Sequence, residues 1–145
     1  MYIRNKPFIR IIAIILVMLL VNPIGAAAAV QPRASAYLDG YTAYVYLPGD
    51  GEVRVYFNVE GTDDMDELGA LTIEIWESTD NSNWYWVESF THDGTPGMLS
   101  YNDDYHSGYV SYDGVAGRYY KAYVCIWGGK DGDGDTRYFW TSVKH

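Results

Sequence analysis

The chain has a single cysteine, Cys125, so it cannot close a disulfide within itself, and its stability has to come from packing. It is also short of positive charge. Ten Lys and Arg stand against nineteen Asp and Glu, which argues against nucleic acid or an anionic membrane surface as partner, because both require a positive field at contact. Helix-period apolar stripes are missing. So are the i, i+4 histidine pair and the Cys/His spacings of zinc sites, and no Ser sits in the strained turn that exposes a hydrolase nucleophile. With no convergent set of tuned titratable groups to name, the sequence predicts a protein that is not an enzyme. A hydrolase or metal-dependent activity would have to run through His92 or His106.

Long apolar runs are scarce, with one exception. Arg4, Lys6 and Arg10 precede an unbroken apolar stretch from Ile11 to Val21, and Asn22-Pro23-Ile24-Gly25-Ala26-Ala27-Ala28-Ala29 follows it. A basic head, a short apolar segment and a small-residue end are the order of a cleavable Sec-type signal peptide. The stretch is well below the ~20 residues that a bilayer span takes. Residues 1–29 are therefore expected to be a signal peptide and 30–145 one secreted, extracellular domain with no stable membrane insertion after cleavage. Three of the ten basic residues and none of the nineteen acidic ones lie in 1–29, which leaves the remainder at a formal charge of −12.

What the chain has in abundance is aromatic side chains, with 15 Tyr and 5 Trp, set in segments of about eight residues whose apolar and polar positions alternate. Val53, Val55, Phe57 and Val59 point one way and Glu52, Arg54, Tyr56 and Asn58 the other, as a strand with one buried face requires. Tyr41, Ala43, Val45 and Leu47 alternate likewise and end at the turn Pro48-Gly49-Asp50-Gly51, which predicts a hairpin. Between Gly61 and Gly69 the alternation breaks, and Thr62 or Asp63 is expected to cap one helical turn that Gly69 ends. Leu71, Ile73 and Ile75 mark a third strand and Trp84 to Thr91 a fourth, across the polar turn Ser78 to Asn83. Met98 to Tyr112 carries the weakest pattern and predicts one or two short edge strands. Arg118 to Trp127 and Thr136 to Val143 pair through an Asp- and Gly-rich turn. Seven or eight short antiparallel strands predict an all-β, two-sheet sandwich.

The run Asp113-Gly114-Val115-Ala116-Gly117-Arg118-Tyr119-Tyr120-Lys121-Ala122-Tyr123-Val124 resembles the penultimate strand of immunoglobulin-like and fibronectin type III-like sandwiches, with Tyr120 before the small Ala122 as in a tyrosine corner. Ile73 to Trp84 is similar to the strand, polar turn and Trp of many bacterial extracellular sandwiches. The cysteine pair of true immunoglobulin domains is missing, and the Trp comes after the turn. With Met65-Asp66-Glu67-Leu68-Gly69-Ala70, these stretches also look like small secreted proteins of Gram-positive bacteria that carry a domain of unknown function. The resemblance implies export and an immunoglobulin-like sandwich. It transfers no active site.

Several groups of residues could carry chemistry. Asp131, Asp133 and Asp135 alternate as calcium ligands do at the start of an EF-hand loop, but Thr136 and Ser142 stand where that loop needs Gly and Glu. A solvated hairpin turn is the better reading, with weak Ca²⁺ binding as the alternative. Asp63, Asp64, Asp66 and Glu67 form a second acidic cluster, read as a capped helical turn in water. His92 with Asp93, and His106 with Asp103 and Asp104, read as surface loop residues that would hold a transition metal only if the two loops converged. Cys125 reads as an unreactive strand thiol.

The aromatic surplus carries the functional expectation. If the aliphatic residues face the core, then Tyr44, Tyr46, Tyr56, Trp76, Tyr119, Tyr123 and Trp127 face outward. Cross-strand aromatic pairs stabilise an exposed sheet face without any ligand. The same flat rings can stack on sugars or pack on a protein, and Tyr56, Trp76, Tyr123 and Trp127 are the candidate ligand-binding residues. The expected function is a secreted, non-enzymatic binding module for a cell-surface protein or glycan. The alternative is a structural protein that forms homo-oligomers through its sheet edges.

Overall fold

The computed structural model describes residues 35–145; the signal-peptide expectation for 1–29 lies outside them. Eight strands follow one another: β1 (Leu38–Gly49), β2 (Glu52–Met65), β3 (Glu67–Ser78), β4 (Tyr85–Thr91), β5 (Leu99–Ser100), β6 (Asp103–Asp113), β7 (Tyr119–Lys130) and β8 (Asp133–Trp140). They form two antiparallel sheets. The first has the order β1-β2-β6, and the second β4-β3-β7-β8 with β5 also paired to β3.

Period-2 alternation places the core between the sheets. Val53, Val55, Phe57 and Val59 of β2 are buried against Ile73 and Ile75 of β3 and Tyr120, Ala122, Val124 and Ile126 of β7. Each of these Val, Ile and Phe side chains contributes about 1.5–3 kcal/mol by leaving water. Two hairpins close on Asp-Gly. Asp50-Gly51 and Asp131-Gly132 all have positive φ, between 53° and 84°, the conformation that a two-residue turn needs to match the strand twist.

Three sequence expectations need correction. Residues 61–69 form no helical turn. β2 runs on to Met65, and a single residue, Asp66, separates it from β3 in the other sheet. The ladder with β6 slips after Glu60 and resumes at Met65 opposite Asp103, and burial of Met65 and Leu68 holds the chain extended through this corner. Within β3, Leu71 is only half-buried while Ala70 and Leu68 are buried, because a bulge between Ala70 and Thr72 shifts the alternation by one residue. Finally, the weakly patterned segment after Met98 holds a two-residue strand and then the eleven-residue β6, paired along most of β2.

Candidate functional site

The outer face of the second sheet gathers most of the tryptophan. Register sets Trp76 of β3 beside Trp86 of β4 on one side and Lys121 of β7 on the other. One row on, Glu74 lies beside Tyr123, which lies beside Trp140 of β8. Lys121 extends its ammonium between two indoles, 4.3 Å from the ring centre of Trp84 and 4.4 Å from that of Trp140. The Trp140 ring meets Trp76 edge-on at 5.7 Å and Tyr123 at 4.9 Å, and Tyr123 lies nearly parallel to Tyr138 at 6.1 Å. The indole N–H of Trp76 donates to Glu74 Oε2 at 3.4 Å. Trp76 and Tyr123 are half-buried by these neighbours, whereas Trp86, Tyr138 and Trp140 remain 55%, 62% and 47% exposed. The arrangement is a continuous aromatic surface with one positive charge held inside it.

The four candidate aromatics do not come together. Only Trp76 and Tyr123 belong to this cluster. Tyr56 lies on the outer face of the opposite sheet, between Tyr44 at 5.2 Å and Tyr109 at 5.1 Å, in a row of tyrosines across β1, β2 and β6. Trp127 lies further along β7, toward the β7–β8 hairpin. Its indole is laid over the backbone of Gly129 and Gly134, where an added Cβ would come within 2.6 and 2.4 Å of the ring, and its N–H donates to Glu67 Oε2 at 3.2 Å. Trp84, Trp86, Lys121, Tyr138 and Trp140 were not among the candidates. Alternation places Tyr138 and Trp140 on one side of their strand, and only the cross-strand register reveals what they meet.

The acidic residues are distributed among separate partners. Asp135 Oδ2 accepts from the Ser35 hydroxyl and from the Ala36 N–H at 3.2 Å, with Arg137 at 3.5 Å. The Asp133 carboxylate beside the Tyr37 phenol holds that phenol's pKa above its ordinary value. Asp131 occupies the first turn position of the hairpin. In the other cluster, Asp63 pairs with Lys130 Nζ at 2.6 Å, and Asp66 accepts the Asp131 N–H at 2.7 Å. With Glu67, these carboxylates fasten the β2–β3 corner to the β7–β8 hairpin rather than cap a helix. Among the described residues, no group of three or more His, Cys, Asp or Glu is placed to hold a metal ion. His92 Nδ1 lies 3.5 Å from Asp93. His106 is in strand β6 rather than a loop, with Nε2 2.8 Å from the Gly97 carbonyl and its ring against Phe57. Cys125 is buried, and that burial pushes its thiol pKa up.

One buried polar cluster lay outside the candidates altogether. Glu77, at 7% exposure, accepts from the Tyr120 phenol at 2.7 Å and pairs with Arg118. The same phenol oxygen accepts the Val115 N–H at 2.7 Å. Loss of water around the phenol, with the Glu77 carboxylate beside it, pushes the Tyr120 pKa up to about 12. The hollow above this cluster, bounded by Leu47, Val115 and Arg118, encloses about 130 Å³, less than the ~300 Å³ at which ligand pockets begin. Its polar groups satisfy one another, and their work is structural.

No protein-family model and no curated protein matches the chain. Among solved structures the chain is similar to Spo0M, a sporulation control protein from Bacillus subtilis, at 12% identity and a TM-score of 0.39, over 70% of this chain and 47% of that one. It is also similar to a protein from Archaeoglobus fulgidus at 6% identity and a TM-score of 0.33, over 74% of this chain and 94% of that one. The chain thus spans about half the length of the Spo0M structure. Both overlaps are too slight to carry a ligand, partner or activity across.

Proposed function

We propose that the chain is a secreted, non-enzymatic binding module whose contact surface is the outer face of the second sheet, engaging a protein or glycan at a cell surface. One observation carries the reading: Trp76, Trp84, Trp86 and Trp140 share that face with Tyr123 and Tyr138, and three of these rings are about half exposed. Contiguous exposed aromatic surface is disfavoured on a monomer unless something covers it, and rigid rings offer large contact area with little side-chain entropy to lose. The basic-apolar-small order of residues 1–29 supports export. Strands β1, β2 and β6 in one layer, β3, β4, β7 and β8 in the other, and the Tyr120 bond back to Val115 support an immunoglobulin/fibronectin type III-like sandwich. Capture on isolated cell-envelope material tests the function, comparing the wild-type chain with a Trp86→Ala, Trp140→Ala double variant. Retention should fall at least about tenfold in the variant, in line with the loss of aromatic anchors. Equal retention would refute the reading.

Self-association through a sheet edge is the second reading, and β1 favours it. Of the four longer strands at sheet margins, β4 carries Glu88, β6 carries Asp103, Asp104 and Asp113, and β8 carries Asp133, Asp135 and Arg137. β1 carries only Asp39 in twelve residues. Charged residues are the usual guard against edge-to-edge pairing, and from Gly40 to Gly49 the β1 edge has none.

A further inference from the structure

Trp127 lies apart from the aromatic cluster and is set differently. Register places Glu67, Gly129 and Gly134 side by side across β3, β7 and β8, on the same outer face as Trp127. Because neither glycine carries a side chain, the indole lies down along the sheet instead of standing off it, and Glu67 fixes its N–H. One face of the ring is spent on the backbone, and the indole lines an open hollow of about 480 Å³. That volume is within the range of small-ligand sites. Tyr101, 60% exposed, also lines the hollow. The rim is acidic: Asp66, Glu67 and Asp133 line it, and the one cation there, Lys130, is already paired to Asp63.

We infer that this hollow is a saccharide subsite for a neutral pyranose chain, with Trp127 as the stacking platform; the inference rests on the reading of the chain as a secreted binding module. The apolar C–H face of a pyranose packs on a flat indole, whose ring is already fixed by glycine contacts and by Glu67, so little ordering remains to oppose binding. Carboxylate oxygens at the rim accept hydrogen bonds from sugar hydroxyls, and bonds to an ionised acceptor are the stronger kind. The same carboxylates repel uronic acids and phosphorylated glycans, and this selects the neutral class.

The test is titration calorimetry on the full chain, expressed with its own N-terminal segment, against three probes: cellohexaose, the hexamer of N-acetylglucosamine, and hexagalacturonate. At least one neutral hexamer should bind and the acidic one should not. Trp127→Ala should weaken binding roughly thirtyfold, the loss expected for a truncated aromatic anchor. Tyr101→Ala, at an exposed position, should weaken it severalfold, and Gly129→Ala should do so by lifting the ring. These two carry the test if Trp127→Ala fails to fold. Tyr46→Ala, on the outer face of the first sheet, should leave neutral-hexamer binding unchanged. Binding lost in Trp86→Ala but kept in Trp127→Ala would overturn the subsite and leave the binding-module reading standing. Hexagalacturonate binding as tightly as the neutral hexamers, or no binding of any hexamer, would overturn it as well. Envelope capture decides the wider reading separately.

Discussion

The Tyr120 phenol donates a 2.7 Å hydrogen bond to Glu77, and this contact between two buried residues joins β7 to β3 inside the sandwich. The same oxygen receives the Val115 N–H and so also anchors the chain that leads into β7. Tyr120→Phe keeps the ring and removes both bonds. It should cost about 1–3 kcal/mol of stability, the penalty for buried partners left unpaired, read as a lower urea midpoint at unchanged slope. A midpoint equal to wild type would show that the contact adds nothing.

The pH profile should bend at both ends. Burial raises Tyr120 from 10.0 to about 12, so the fold favours the neutral phenol. Its contribution is complete below pH 10 and is lost as pH climbs toward 12. Carboxylates behave in the opposite sense. Lys130 holds Asp63 low, the Ser35 hydroxyl holds Asp135 low, and the N–H groups of Asn83 and Ser82 hold Asp80 low. Their contributions are present above the ordinary carboxylate range, near pH 4, and are lost as pH falls below it. Urea midpoints should therefore be flat between about pH 5 and 9, above which the Cys125 thiol, also raised by burial from 9.0, begins to ionise in the unfolded chain, and should decline on either side. Tyr120→Phe should flatten the alkaline decline and leave the acid one. An unchanged alkaline decline would assign it to Cys125 or to other tyrosines.

Lys121 holds its charge between two indoles. Lys121→Met keeps the stem and drops the charge, and should destabilise by roughly 0.5–1 kcal/mol for each ring. Lys121→Arg should lose less. Chemical denaturation separates the two variants, and equal stability of both with wild type would mean that the ammonium contributes nothing measurable.

Self-association through β1 predicts concentration dependence. If copies pair along that edge, sedimentation at rising concentration should show dimers or larger species, and Tyr44→Lys, which places a charge on the bare edge strand, should abolish them. A wild-type chain that stays monomeric throughout would remove this reading.

How much of this was legible in the sequence depends on how local the signal is. The alternation of Val53, Val55, Phe57 and Val59 and the Asp-Gly turns are local, and both the strands and the hairpins follow from them. Residues 61–69 misled because Gly, Thr and Asp signal a turn, while burial of Met65 and Leu68 by residues far away in sequence decides the outcome. β6 was faint because its inward positions include His106 and Gly108. An added Cβ at Gly108 would come within 2.8 Å of the Phe57 ring, so a glycine there makes room for a side chain of another strand and weakens its own strand's pattern. The same holds for the candidate surface. Outward orientation of Trp76, Tyr123 and Trp127 could be read from period 2, but the Lys121, Trp84 and Trp140 arrangement depends on register across sequence-distant strands.

The chain passes from the middle strand of one layer to an interior strand of the other through Asp66 alone. Closing so short a connection costs little chain entropy, whereas β6 must return to β2 after the chain has built three strands of the opposite layer. Assembly is therefore expected to begin at the seam between the layers and spread outward. Mutational φ-values higher at Val59 and Ile73 than at Val110 would express that order, and the reverse ranking would contradict it. On this view the acidic corner between β2 and β3 is the place where a linear chain first becomes a two-layered object.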